Sequence, residues 1–413
     1  MRVLHVLHSS LPFVCGYTIR SEHILRLQHE QGMTPAAVTS AQHPGCGAAR
    51  EDIGGRAHWR TPRQPDGAPF VREWRLMRAL GRSLEAAIDA FQPELLHAHS
   101  PVLVGLPALR AARRRGLPIV YEVRDLWENA SVDHGKFSEG SPQYRIARAA
   151  ETWALRRADA AVTICEALRE EIASRVPRAE GIAVVPNGVD TARFTPRPAR
   201  EDLRARWGLG GKAVLGYVGT FQPYEGLETL VAAMPLILAE IPAAHLFIAG
   251  AGGEGPRLRA QVEANGLGAR VTFAGQVPPE EVVDLYPLLD IAVYPRILTR
   301  TTALTTPLKP LEAMAMARPV LASNVPAMRE IVRHGETGTL FPAGDIETLA
   351  RECIEALRDP GGQRALGERA RRWVEIERRW PDLVGRYHRI YEGAMARRAG
   401  RHRGGPTGVA AEA

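Results

Sequence analysis

The sequence predicts an α/β protein of two successive doubly wound domains, and three observations carry that expectation. The first is rhythm: apolar, β-branched runs such as RVLHVLH, LLHAHS and PIVYEVRD alternate with segments of helical period, the pattern of parallel sheets covered by helices on both faces. The second is length, because 413 residues at 45% hydrophobic and 24% charged exceed what one ordinary core organises. The third is a break near residue 187, where NGVDTARFTPRPAREDLRARWGLGGK is rich in Gly, Pro and charge.

Before the break, RVLHVLH leads into TIRSEHILRLQHEQG, and the amphipathic VREWRLMRALGRSLEAAIDAF precedes LLHAHS. PIVYEVRD, DAAVTIC and GIAVVP complete the first series. The second comprises AVLGYVG, LETLVAAMPLILAEI, AHLFIAG, PRLRAQVEANG, VTFAG, EEVVDLYPLLD, IAVYP, TTPLKPLEAMAMARPVLAS and TGTLFPAGD. Domain limits follow at 1–190 and 191–377. A closing helix at about 378–398, with Trp380, Leu383, Tyr387 and Tyr391 at helical spacing, is expected to pack back on the first domain. The stretch 399–413 is small and polar and is expected to be disordered. Ligands of such sheets bind beyond the carboxyl ends of the strands, so a cleft between the domains is the expected site.

Bulk composition excludes some classes. The formal charge of +7 favours anionic partners, yet the arginines are spread along surface helices without an aromatic-basic motif, so nucleic acid is not an expected partner. Cys15, Cys46, Cys165 and Cys353 form no C-x-x-C pair, which points away from zinc and disulfides and towards a reducing compartment. MRVLHVLHSSLPFV reads as a first strand, and TLVAAMPLILA is too short to span a bilayer. A soluble, cytoplasmic protein is expected. The basic helices VREWRLMRALGRSLEAAI and ALRAARRRG suit either peripheral contact with an anionic leaflet or plain solvation.

Several stretches are chemically suggestive. Gly250, Gly252 and Gly255 fit G-x-G-x-x-G after a strand, but no acidic residue follows at ribose-binding distance; a tight turn explains them better than a nicotinamide cofactor. Gly219 and Thr220 end a strand where backbone amides suit a diphosphate or only a turn. Gly16 lies in a strand-to-helix loop. His97 and His99 end another strand and are expected on opposite sides of the sheet. Arg124, Asp125 and Trp127, just past the next strand, offer either sugar recognition or an ion pair beside a packed indole. Lys309 is one of only three lysines among 53 basic residues, which suggests that a compact point charge is wanted there. With Glu312 at i+3 it reads either as a phosphate and ribose site or as a solvated helix start.

Taken together and in order, HAHS, ADAAVTICEALREEI, VVPNGVD, GYVGTF, IAGAGGEGP and PLKPLEAMAMARPVLASNVPAMREIVRHGETGTLFPAGD resemble the family-four retaining glycosyltransferases of the GT-B fold. YEVRDLWENASVDHGKFSEGS and GYVGTFQPYEGLE further resemble a bacterial subgroup linked to exosortase and exopolysaccharide systems. The resemblance implies two Rossmann-like domains facing across a cleft, and sugar transfer from a UDP- or GDP-linked donor with retention of configuration, without metal or other cofactor.

By matching position, the resemblance makes His99, Lys309 and Glu312 catalytic. It assigns the donor to Gly16, Gly219, Thr220, Gly250, Gln276, Val277, Thr305, Thr306 and Leu308, with Lys309 on the diphosphate and Glu312 on the ribose. The acceptor, a glycan or polyprenyl-linked saccharide, would meet Tyr17, Arg124, Asp125 and Trp127. Two departures stand out. The upstream glutamate of the motif is absent, Ala303 and Leu304 holding its place, and Thr220 or Phe221 and Glu225 replace an expected Arg and Lys. A degenerate, non-catalytic binding subunit is the alternative that the first departure raises.

Overall fold

The computed structural model describes residues 1–45, 48–68, 70–176 and 181–403, the side chains of 401–403 excepted. The chain divides into two compact units, one formed by 1–186 with the chain from Trp380 onward, the other by 187–379.

The first unit holds eight strands: β1 (Arg2–Leu7), β2 (Thr34–Thr39), β3 (Arg50–Ile53), β4 (Arg56–Arg60), β5 (Leu95–His99), β6 (Ile119–Val123), β7 (Ala160–Thr163) and β8 (Ile182–Val184). Their order is β3-β4-β2-β1-β5-β6-β7-β8, all parallel except the β3–β4 hairpin. That hairpin escapes the sequence reading, although Gly54 and Gly55 (φ 56° and 77°) are the two-residue turn that closes it. The order reverses between β1 and β5, a topological switch point. The central strands are buried on both faces and so read as continuous apolar runs.

The second unit holds β9 (Ala213–Val218), β10 (Ala244–Ala249), β11 (Val271–Gly275), β12 (Ile291–Tyr294), β13 (Val320–Ser323) and β14 (Thr339–Phe341), all parallel in the order β11-β10-β9-β12-β13-β14. Its switch point lies between β9 and β12. Leu215, Tyr217, Phe247, Ile248, Val293, Met314 and Leu321 sit in one continuous core.

The closing helix runs Trp380–Arg403 and buries Trp380, Leu383, Tyr387 and Tyr391 in the first unit. Helix therefore continues into the stretch expected to be disordered from 399; the rest of that stretch, 404–413, lies outside the described residues. Cys46 lies outside them too, and no disulfide joins Cys15, Cys165 and Cys353. Among the described residues no helix is long and apolar enough to cross a membrane.

Candidate active site

In the second unit the predicted donor residues gather at the carboxyl ends of the strands. Gly219 and Thr220 follow β9, Gly250 follows β10, Gln276 and Val277 follow β11, and Lys309 opens the short helix Lys309–Ala315 beside the switch point. The lysine stem lies directly over Gly219: a Cβ there would stand 2.2 Å from Lys309 Cε and 2.6 Å from Cδ. Gly219 has φ +150°, which disfavours a side chain by conformation, and a Cβ there would push the lysine stem aside.

Lys309 and Glu312 are not bonded to each other. Lys309 Nζ donates to Glu225 Oε1 at 2.8 Å and sits 5.2 Å from the centre of the Tyr217 ring. Glu312 Oε2 accepts from the Tyr286 hydroxyl at 2.7 Å, and Tyr294 donates to the Lys309 carbonyl at 3.0 Å. Burial of the Glu312 carboxyl raises its pKa, against the opposing pull of the Tyr286 hydrogen bond, Arg193 and Lys309. Burial also pushes Glu225 upward, but Lys309 and Arg296 overcome it and the net shift is down. Arg296, itself buried, has Nε 3.9 Å from Glu225 Oε1 and donates from its terminal nitrogen to the Thr305 carbonyl at 3.0 Å. Asn187 Nδ2 donates to the Thr306 carbonyl at 2.7 Å. The loop expected to meet phosphate is thus fixed from two sides.

The glycine-rich turn has a structural explanation. A Cβ on Gly250 would stand 1.9 Å from the Gly219 carbonyl oxygen, and one on Gly252 2.2 Å from that of Phe221. These glycines let the β10 turn press against the β9 turn. Gly250, expected among donor contacts, therefore shapes the site through Gly219. Gln276 and Thr220 are exposed, while Val277 and Leu308 are half-buried.

The first unit carries a buried polar network at its own switch point. His97 and His99 share one face, their ring centroids 4.1 Å apart, which corrects the expectation that they face opposite sides: residues i and i+2 of a strand project alike. Register sets His5 beside His97 and His99 beside Glu122. Hydrogen-bond direction follows from Arg124, which can only donate. It donates to His99 Nδ1 at 2.8 Å, so His99 Nε2 carries the proton and donates to His5 Nδ1 at 3.0 Å. His5 Nε2 then donates to Gln28 Oε1 at 2.9 Å, Gln28 Nε2 to the Tyr391 hydroxyl at 2.7 Å, and that hydroxyl to His97 Nδ1 at 2.8 Å. His97 Nε2 faces Glu122 Oε2 at 3.4 Å without a hydrogen bond, and Glu122 Oε1 takes Arg124 Nε at 2.9 Å, so the series of bonds runs from Glu122 through Arg124 to His97 and stops there. Burial lowers the pKa of all three histidines and so favours their neutral forms. Burial would raise Glu122, but Arg20 and Arg124 hold it well below the usual carboxylate range.

These directions show how two of the expected site residues are held. His99 is fully buried with both ring nitrogens engaged, one by Arg124 and the other by His5. Arg124 directs its guanidinium to Glu122, His99, the Tyr17 carbonyl and Ser21 Oγ. His5, His97 and His99 have ligand atoms within 4.8 Å of one another, but their lone pairs point at these donors, so the group does not suit a metal ion. Gly16 is exposed at the start of helix Gly16–Glu30, Tyr17 lies under the Arg124 guanidinium at 4.3 Å, and Asp125 and Trp127 stay partly exposed.

The profile "Glycosyl transferase 4-like domain" matches residues 16–188, and "Glycosyl transferases group 1" matches 199–373. The GDP-mannose-dependent alpha-mannosyltransferase of Mycobacterium tuberculosis (strain CDC 1551 / Oshkosh) is 29% identical over 406 residues, 94% of this chain and 97% of that protein.

The chain belongs to the family-four glycosyltransferases.

Solved structures agree on the fold. The sucrose-phosphate synthase of Thermosynechococcus elongatus aligns with TM-score 0.78 at 23% identity, over 96% of this chain and 100% of that one. Anabaena HepE in complex with UDP-glucose aligns with TM-score 0.72 at 17% identity, over 96% and 100%. The architecture of this glycosyltransferase is accordingly GT-B, with two Rossmann-like domains. Sequence reasoning missed the roles of Glu122, Arg20 and Gln28 in its first unit and of Arg296 and Tyr286 in its second. Glu225 was noticed only as a departure; its placement against Lys309 needed the fold.

Proposed function

We propose that this glycosyltransferase moves a sugar from a UDP- or GDP-linked donor to a glycan or lipid-linked acceptor, with retention of configuration. The observation that carries the reading is the Lys309 ammonium, laid over a glycine at the switch point of the second sheet where α/β folds bind ligands. Gly219 and Thr220 offer the diphosphate close backbone approach, Lys309 offers it charge, and Glu312 accepts hydroxyls of the ribose. As the glycosidic bond breaks, negative charge grows on the leaving diphosphate, and a fixed cation there stabilises the transition state more than the ground state. With the nearby carboxylates bonded to Lys309 or Tyr286, a front-face path, in which the leaving diphosphate takes the acceptor proton, fits better than a covalent glycosyl-enzyme. Lys309 and Arg296 supply positive charge from the chain itself, which supports metal-independent chemistry.

The test is titration of UDP, GDP and their sugars into the wild type, Lys309→Ala and Glu312→Ala, followed by donor turnover. Each variant is expected to weaken nucleotide binding at least tenfold; equal binding by both refutes the site. The half-exposed Ala303, on the short helix Arg300–Leu304, favours the second reading of a non-catalytic subunit. Nucleotide binding without turnover of any donor, with acceptors supplied, would select it.

A lipid-linked acceptor in exopolysaccharide or cell-surface glycan synthesis accords with the likeness of 121–141 and 216–228, and it would be met in the cytoplasm at an anionic membrane. The start of helix Val71–Phe91 supports this: Phe70, Val71 and Trp74 are exposed among the exposed Arg72, Arg75, Arg78 and Arg82. The other basic helix suits a membrane less, since Arg115 is paired with Glu85 and Asp89. Failure to co-sediment with anionic liposomes at low salt would remove the membrane from the proposal.

A further inference from the structure

Glu225 is an anion in a place read as a diphosphate site, and its surroundings show which partner in the pair is fixed. It ends the single helical turn Pro223–Glu225, and Gly226 follows at φ +66°. A Cβ on Gly226 would stand 2.1 Å from the Pro295 carbonyl oxygen, and Ile297 N–H donates to the Tyr224 carbonyl at 3.1 Å, so the backbone beneath Glu225 is pinned to the end of β12. The Glu225 side chain is 3% exposed and that of Arg296 4%, whereas Lys309 is 20% exposed and ends on a flexible stem over a glycine. Carboxylate and guanidinium are built in; the ammonium is the movable member.

We propose that Glu225 is a positioning residue that competes with the bound diphosphate for Lys309, holding the ammonium when the site is empty and drawing it back to speed release of the nucleoside diphosphate. The proposal rests on the donor-site reading above and deepens it. A compact ammonium with three donors can bond Glu225 and a phosphate oxygen in turn or together. The competition follows from charge: Lys309 and Arg296 carry two positive charges and Glu225 cancels one, so these three groups together offer the diphosphate a net +1. Removing the carboxylate charge leaves both cations to the ligand, so the product is held longer.

The experiment measures equilibrium affinity and dissociation rate of UDP and GDP, by calorimetry and stopped flow, for the wild type, Glu225→Gln, Glu225→Asp, Lys309→Ala and the double variant Glu225→Gln/Lys309→Ala. Glu225→Gln is expected to bind about tenfold more tightly, mainly through slower dissociation, and Glu225→Asp to return towards the wild type. In the Lys309→Ala background the Glu225→Gln effect should vanish, because the carboxylate acts through the lysine. A Glu225→Gln variant that binds more weakly or unchanged, or shows the same change with and without Lys309, overturns the proposal while leaving the donor site standing. If Lys309→Ala binds like the wild type, the part given to Lys309 in the donor-site reading fails instead. No binding of either nucleotide by the wild type overturns both. Should Glu225→Gln not fold, Glu225→Ala with and without Lys309 decides by the same coupling, an effect independent of Lys309 being the refuting result.

Discussion

Replacing Gly219 by alanine probes the contact on which the donor site rests. The new methyl carbon would stand 2.2 Å from Lys309 Cε and 2.6 Å from Cδ, so the lysine stem has to swing away and its 2.8 Å bond to Glu225 is lost. Losing a hydrogen bond to a charged partner costs about 1.5–3 kcal/mol. A side chain at φ +150° adds ~1–3 kcal/mol of backbone strain. Because the strained residue relaxes partly as the lysine moves, the expected stability loss is about 2–5 kcal/mol, read as the shift in urea midpoint at constant slope. The displaced ammonium no longer faces the strand end, and UDP or GDP affinity should fall at least ~10-fold, each factor of ten being about 1.4 kcal/mol. A variant that unfolds within ~0.5 kcal/mol of the wild type, the range of an ordinary surface change, and binds nucleotide equally well would refute the argument.

Tyr391→Phe breaks the hydrogen-bond network of the first unit and leaves Gln28 Nε2 and His97 Nδ1 buried without their partner, at a cost of about 1–3 kcal/mol for each group by urea unfolding. Glu151 is buried against the Tyr121 hydroxyl, and burial pushes its carboxyl up to about 8. A carboxyl raised in the folded state contributes stability that is full below the unfolded pKa near 4.5 and is lost as pH rises through about 8. Glu151→Gln should therefore gain about 3–5 kcal/mol on the wild type as the pH is raised across that window, each pH step of one costing the wild type ~1.4 kcal/mol; a pH-independent difference would contradict a neutral carboxyl. Treatment with EDTA is expected to leave donor turnover unchanged, and a loss restored by a divalent cation would overturn the metal-independent proposal.

The legible parts of this protein were those governed by local pattern. Parallel strands buried on both faces announce themselves as apolar runs, which is why β1, β5, β6, β9, β10, β12 and β13 could be read directly. The β3–β4 hairpin was overlooked because its strands carry charge and sit at the sheet edge, leaving Gly54-Gly55 as the one clear mark. Lys309 stood out by its rarity among arginines and Glu312 by its spacing, but the partners of each lie far away in sequence. Glu225 is 84 residues from Lys309, and Tyr286 is 26 from Glu312. The aromatic spacing of Tyr387 and Tyr391 marked a buried helix face; that Tyr391 bonds His97, 294 residues away, left no trace in local pattern.

The sequence by itself determined two doubly wound domains, the strand ends where a ligand would lie, and a lysine and a glutamate on one short helix. The tertiary structure decided what those groups do. It joined His99 and Arg124 in one buried hydrogen-bond network, gave the glycine-rich turn to backbone packing, and joined Lys309 to Glu225. The physical reason is common to all three: hydrogen bonds and close backbone approaches act over about 3 Å, and residues that share them are brought to that distance only by the folded sheet.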